Sequence, residues 1–285
     1  MFNNILLPIS SEFYPKHILQ KAIFLAEKFN SKLTLIYIIE TKTLLQTDKA
    51  TDSYRTQKEI EETKKEIINN QKETAAKIVF EYANHLLKNK NMSFEEKTVE
   101  GEYSDAIQRE LDLNEYDLIL MGFEKECLLN YRLLEDVNIP VWVETGRESK
   151  KILGVCSNLA PNQKVPDLSV KLSEIFDWEL EMLYVVDVED SVQVDEQGKR
   201  SEKKPERDLL FTGQKFVEEI EKKGIKAQLV KGSLEKETIK AAEKINANLI
   251  VVGREQKKKG MLGLPVKNIR KKIAEKCDYS ILFIH

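Results

Sequence analysis

NNILLPIS, from Asn3 to Ser10, returns later in the chain as KKILGVCS, from Lys150 to Ser157. The second copy decides the fold, because a duplicated segment fixes what each half must be. The matches continue outward from it. SKLTLIYIIE (Ser31 to Glu40) corresponds to WELEMLYVVD (Trp178 to Asp187), with Tyr37 against Tyr184. KTVEG (Lys97 to Gly101) corresponds to QLVKG (Gln228 to Gly232), and YDLILMG (Tyr116 to Gly122) to ANLIVVG (Ala247 to Gly253). Ile139 to Val141 then matches Tyr279 to Ile281. The spacing between matches is unequal: the first half carries a longer middle segment, and the second has gained residues between its last two strands.

Each half reads as strand, helix, strand, long helix, strand, helix, strand, helix, strand. Short runs rich in Ile, Leu and Val suit buried parallel strands, and alternation with helical patterns separates them from buried helices. Ile18, Ala22, Leu25, Ala26 and Phe29 make one helical face, and Ile239, Ala242 and Ile245 another. The pattern predicts an α/β fold, two tandem domains, each a mostly parallel five-stranded sheet flanked by helices on both faces. At 285 residues, two domains also fit the length. The boundary is expected near Thr145 to Arg147, giving domains 1–146 and 147–285. Residues 54–89 hold the longest helical pattern, whose stripe of Ile60, Ile67, Ile68, Ile78, Val79 and Tyr82 is expected on the sheet. The counterpart, Val188 to Lys204, is polar and is expected to be a mobile surface connection.

Composition excludes several classes of function. Charged residues make up 33% of the chain, yet the formal net charge is -3, so generic attraction to nucleic acid is not expected. No window has the length and apolarity of a membrane span, and no leader pattern opens the chain, so a cytoplasmic protein without membrane contact is expected. Cys127, Cys156 and Cys277 lack metal or disulfide spacing and read as small buried hydrophobes. His17, His85 and His285 stand far apart, so neither a metal centre nor histidine catalysis is expected.

Strands of the ILLPIS type, strands ending in VEG or VKG, the strands DLILMG and NLIVVG, and the closing IPVWV and SILFI together resemble the universal stress protein family. The resemblance spans essentially the whole chain as a tandem pair. It implies ligands at the carboxyl ends of the strands, a stress-response role and, in members that bind ATP, an acidic residue ending the first strand. Those members also carry Gly-x2-Gly-x9-Gly-Ser/Thr after the fourth strand, where glycines admit the phosphates to backbone N–H groups. This sequence departs from both features. Ser10 and, in the second half, Cys156 are read in place of the acid, and no glycine follows Gly122 before the last strand. In the second half Gly253 is kept, but Gln256, Val266 and Lys267 stand where glycine and serine or threonine are implied.

The stretch after Gly253 remains the best candidate for anion contact. From Arg254 to Lys276 it holds nine basic residues against Glu255 and Glu275. Micromolar affinity needs about 8 kcal/mol, and helix-end or surface charges supply only about 0.3–1 kcal/mol each. The readings left open are a solvated loop, a phosphate or nucleotide contact, and a contact with nucleic acid or a partner. Candidate ligand residues in the second half are Gly253, Arg254, Gly260, Gly263, Lys267, Asn268, Cys156 and Ser157, with Asn158 beside them to meet a sugar or base. In the first half Ser10, Ser11 and Gly122 line the equivalent cleft, with Glu12 as a displaced carboxylate or an exposed loop acid. Gly101 and Gly232 read as tight turns before helices capped by Ser104 and Ser233.

The expected function is a non-enzymatic stress-response binding or regulatory protein with weak or no ATP binding. The alternative is an adenine-nucleotide-binding protein acting through the second domain, with or without slow hydrolysis. Partners expected are a small anionic ligand and the chain's own other half. The resemblance implies pairing through the last strands, Val141 to Val143 and Ile281 to Ile284, as an internal pseudo-dimer, or as a homodimer.

Overall fold

The fold is given by a computed structural model that describes residues 1–10, 17–40, 57–88, 90, 92–123, 137–160, 164–188, 191–193, 201–253 and 278–284. The chain divides into two compact units, Met1–Ile139 and Pro140–His285.

The first unit runs β1 (Asn4–Ser10), α1 (His17–Phe29), β2 (Lys32–Ile39), α2 (Gln57–Asn70), a π-helical stretch (Gln71–Ala76), α3 (Lys77–Leu87), β3 (Phe94–Glu100), α4 (Tyr103–Leu113) and β4 (Leu118–Gly122). Its strands are parallel in the order β3-β2-β1-β4. Ile5, Leu6, Leu7 and Leu118 to Leu120 are fully buried, which is why β1 and β4 read as unbroken apolar runs rather than alternating ones. On α1, Ile18, Ala22, Leu25 and Ala26 face inward as the periodicity requires, and Phe29 sets its ring edge-on to Phe2 at 5.2 Å.

Among its described side chains, the stripe expected along the long helix is broken at Ile78. Ile68 and Val79 are buried, but Ile78 is 60% exposed. The π-helical stretch resets the helical phase between Asn70 and Lys77, so Ala76, Val79, Ala83 and Leu87 form the inner face. Ile78 is then turned about 100° away from Val79. The side chains of Ile60 and Ile67 lie outside the described residues.

The second unit runs β5 (Val141–Glu144), β6 (Lys151–Ser157), α5 (Lys164–Phe176), β7 (Glu179–Asp187), α6 (Glu206–Lys222), β8 (Lys226–Gly232), α7 (Leu234–Ile245), β9 (Leu249–Gly253) and β10 (Ser280–Ile284). Its parallel order is β8-β7-β6-β9-β10. β5 runs antiparallel along β10, pairing Val141, Trp142 and Val143 with Phe283, Leu282 and Ile281. The last strand of the first sequence repeat therefore packs with the second unit, and the segment after it is fastened there. Trp142 Nε1 donates to the buried Glu144 carboxylate at 2.9 Å, which also accepts the Gly146 N–H at 3.0 Å. Arg147 lies over the Tyr279 ring at 4.3 Å and donates to Asn246 Oδ1 at 3.0 Å.

The connection 188–204, expected to be a polar surface connection, is described at 188, 191–193 and 201–204, all of them intermediate or exposed. Ser201 N–H donates to Gln193 O and Lys204 N–H to Ser191 O, each at 2.8 Å, so 191–193 and 201–204 pair as two short extended pieces. On α7, Leu234, Thr238, Ala242 and Ile245 are buried, and Ile239 sits half-buried at the margin. The helix expected before the last strand of each half falls on residues outside those described.

Candidate functional site

In an open parallel sheet a ligand crevice forms beyond the carboxyl ends of the strands, where the strand order reverses. In the first unit that point lies between β1 and β4, and in the second between β6 and β9. Ser10 and Gly122 bound the one; Ser157 and Gly253 bound the other. All four are buried.

The ladder registers correct the sequence reading of the second crevice. Ile9 pairs with Tyr37 and Cys156 with Tyr184, so Ser157, not Cys156, is the counterpart of Ser10. Cys156 takes the place of Ile9 inside the sheet. It is fully buried, and burial pushes its thiol pKa up, so it is a neutral, inert group near neutral pH. Ser157 does stand at the crevice. Its Oγ accepts the Leu159 N–H at 3.1 Å, and the chain folds back so that Ser157 and Ala160 form an isolated bridge.

Asn158, expected to meet a sugar or base, is turned inward and 1% exposed. Its Oδ1 accepts the Asp187 N–H at 2.7 Å, and its Nδ2 donates to Val192 O at 2.7 Å and, at 3.4 Å, to Asp187 O. Asp187 was not foreseen as a site residue. It ends β7, is 3% exposed, and its carboxylate Oδ2 accepts the Leu234 N–H at 2.8 Å. That N–H is one of the unsatisfied donors at the start of α7, and the carboxylate also suits the positive end of the helix dipole. Ser233 occupies the N-cap position without a side-chain cap bond. The serine cap expected there is thus replaced by a carboxylate from the neighbouring strand. The signal was present in the repeat match, which aligns Asp187, the last residue of β7, with Glu40, the residue directly after β2.

The first unit solves the same place differently. α4 begins at Tyr103 rather than Ser104, with Glu102 at the N-cap and no side-chain cap bond. Tyr103 OH donates to Pro8 O of β1 at 3.3 Å, and burial, assisted by the nearby Glu40 charge, raises its phenol pKa. Phe123, directly after Gly122, is also buried. Gly101 has φ 140°, and a Cβ there would lie 2.7 Å from Arg109 Nη2, which itself donates to Glu100 O. Gly232 does not share that φ; a Cβ there would meet Glu237 Cγ at 2.8 Å.

Of the remaining candidates, Arg254, Gly260, Gly263, Lys267 and Asn268 lie outside the described residues, as do Ser11 and Glu12. Among the described residues no cluster of His, Cys, Asp or Glu has the makings of a metal site, and no helix is long and apolar enough to cross a membrane. A separate groove of about 540 Å3 lies between α5 and α6, over Tyr184, with Phe211, Lys215 and Lys223 on its walls. It is on the helical side of the sheet, away from the strand ends.

The sequence profile described as the universal stress protein family matches residues 1–141 and again 148–285. The chain belongs to that family. Two profile matches in tandem also fit the duplicated α/β architecture. Among solved structures, a universal stress protein from Archaeoglobus fulgidus DSM 4304 is 14% identical, with a TM-score of 0.60 over 99% of this chain and 96% of its own. A Pseudomonas aeruginosa UCBPP-PA14 protein described with the same family name is 13% identical, with a TM-score of 0.63 over 99% and 93%. At such identities these likenesses speak for the fold alone. No curated protein matches the chain.

Ser10 and Ser157 stand where the family resemblance implies a nucleoside-fixing carboxylate, and neither carries charge. The Asp187 carboxylate, at the end of β7, is engaged at the start of α7.

Proposed function

We propose that this universal stress protein acts without catalysis, as a stress-response binding or regulatory protein, and binds ATP weakly or not at all. One observation carries the proposal: polar groups at the strand ends that a small ligand would need are taken by the chain itself. In the second repeat Asn158 engages the Asp187 backbone and the Asp187 carboxylate engages α7. In the first, the Tyr103 hydroxyl engages Pro8.

The working surface of the protein is then its exterior. Its place is the cytoplasm, with neither membrane nor nucleic acid as partner. The antiparallel ladder between β5 and β10 supports pairing of the two repeats through their last strands, as an internal pseudo-dimer. A small anionic ligand at the basic stretch after Gly253 is compatible with this reading. The competing reading, an adenine nucleotide held by the second repeat, keeps Gly253 at the crevice in its favour.

Native mass spectrometry of the purified full-length chain tests the proposal without presuming a ligand. The bare chain mass is expected. A stoichiometric adenine nucleotide carried through purification would overturn the proposal in favour of the competing reading.

A further inference from the structure

The groove between α5 and α6, at about 540 Å3, has the size of a small-molecule site and is lined by described residues alone. Its floor is aromatic. Tyr184 of β7 lies beneath it, and the Phe216 ring of α6 meets the Tyr184 ring at 5.2 Å with a tilt of 47°. Gly213 permits this approach of α6 to the sheet, because a Cβ there would lie 2.5 Å from Leu229 Cδ1 and 2.8 Å from Tyr184 Cδ1. On the facing wall stands Pro166 of α5. The 147-residue offset that relates Tyr37 to Tyr184 relates Leu19 of α1 to Pro166, and Leu19 is fully buried. The shorter proline ring leaves open a place that the first repeat fills with leucine.

The rim carries both signs of charge. Lys215 and Glu219 stand one turn apart on α6, in the order that pairs less well along a helix, and form no ion pair with each other. The Lys215 ammonium instead lies over the exposed Phe211 ring at 4.5 Å. Across the groove Lys223 Nζ and Asp167 Oδ1 are 3.9 Å apart, too far for a hydrogen bond. Two cations and two carboxylates thus border the aromatic floor, with no net charge among them. A guest that complements this lining has a flat apolar ring and carries one charge of each sign.

We propose that the groove binds an aromatic α-amino acid as its zwitterion. The ring lies over Tyr184 and Phe216, the carboxylate faces Lys215 and the ammonium faces Glu219. The charges are exposed and screened by water, so binding is of millimolar order. A guest held so weakly leaves during purification, and the bare chain mass expected above is unaffected by it. The site is also remote from the strand ends, so it stands whether or not a nucleotide binds there.

The test is saturation-transfer NMR with the full-length chain and L-phenylalanine. Alongside it run 3-phenylpropanoate, which lacks the ammonium, and phenethylamine, which lacks the carboxylate. Saturable binding of L-phenylalanine, tighter than that of either analogue, is expected. Pro166→Leu, which restores the leucine of the first repeat, is expected to weaken it about tenfold. Lys215→Gln is expected to weaken L-phenylalanine and 3-phenylpropanoate about threefold and to leave phenethylamine unchanged. Glu219→Gln is expected to weaken L-phenylalanine and phenethylamine and to leave 3-phenylpropanoate unchanged. Both glutamine variants alter exposed side chains, so they report on the guest even if Pro166→Leu fails to fold. Absence of saturable binding by the parent would overturn the site. An analogue that binds as tightly as L-phenylalanine, or glutamine variants that do not separate the two analogues, would overturn the zwitterion reading.

Discussion

Two buried side chains of the second sheet, one at the end of β7 and one inside β6, carry opposite chemistry. Asp187 is a carboxylate whose charge is used by the start of α7, and Cys156 is a thiol held neutral by burial. Replacing Asp187 by Ala leaves the Leu234 N–H without its acceptor in a buried place, at a cost of about 1–2 kcal/mol. The expected outcome is a lower urea midpoint with an unchanged slope, and a smaller loss for Asp187→Asn, which keeps an acceptor oxygen. If Asp187→Ala matched the parent in midpoint, the capping role would be wrong. For Cys156, alkylation followed peptide by peptide is expected to spare it in the native protein at pH 8 and to modify it once urea unfolds the chain. Rapid native labelling at Cys156 would contradict its inert, interior placement.

At the scale of elements, α4 is tied to its sheet by a hub that the second repeat lacks. Glu110, 7% exposed on α4, accepts from Lys97 Nζ at 2.7 Å, Asn114 Nδ2 at 2.8 Å and Tyr116 OH at 2.6 Å. The corresponding residues in the second repeat, Gln228, Ile245, Ala247 and Ala241, form no such hub. Glu110→Ala leaves the Lys97 ammonium, which is 25% exposed, with Glu95 at 3.2 Å as a remaining partner, and is expected to cost about 1–2 kcal/mol, less than breaking a fully buried pair because water and Glu95 still reach the lysine. Hydrogen exchange should accelerate in α4 and β3 and leave α7 and β8 unaffected. The hub also sets an alkaline limit. Burial and the bond to Glu110 push the Tyr116 phenol from its ordinary 10.0 up to about 12. The unfolded chain ionises first, so the group's contribution is complete below pH 10 and drains away as pH rises toward 12. Tyr116→Phe should flatten that part of the stability profile, measured as urea midpoint against pH. The strands and α1 were legible because their apolar runs and helical faces face a core directly. The π-helical stretch was not, because its side-chain composition does not announce a sixth-residue hydrogen bond, and Ile78 was misplaced in consequence. The cap of α7 was misread because its partner, Asp187, comes from another strand, which local spacing cannot supply, and α4 starts at Tyr103 with no side-chain cap bond.

For the whole molecule, the repeat was plain in the sequence and the family resemblance implied the pairing of β5 with β10, but that β5 falls in the second compact unit was not legible, since a strand's affiliation depends on its ladder rather than its position in the chain. A fragment beginning at Pro140 keeps the β5 ladder and the buried Glu144, whereas one beginning at Arg147 lacks both. The first is expected to unfold cooperatively in urea as a monomer, and the second to be less stable or to self-associate along the bared β10. Equal stability and monomeric behaviour of the two fragments would show that β5 is dispensable to the second unit. The central proposal is that polar groups at the described strand ends are taken by the chain itself, leaving little for a nucleotide to bind. Isothermal titration of the full-length protein with ATP, AMP and cyclic AMP at millimolar concentration tests it most directly. No saturable heat, or only millimolar binding, is the predicted result; a stoichiometric site of micromolar or tighter affinity would contradict the account.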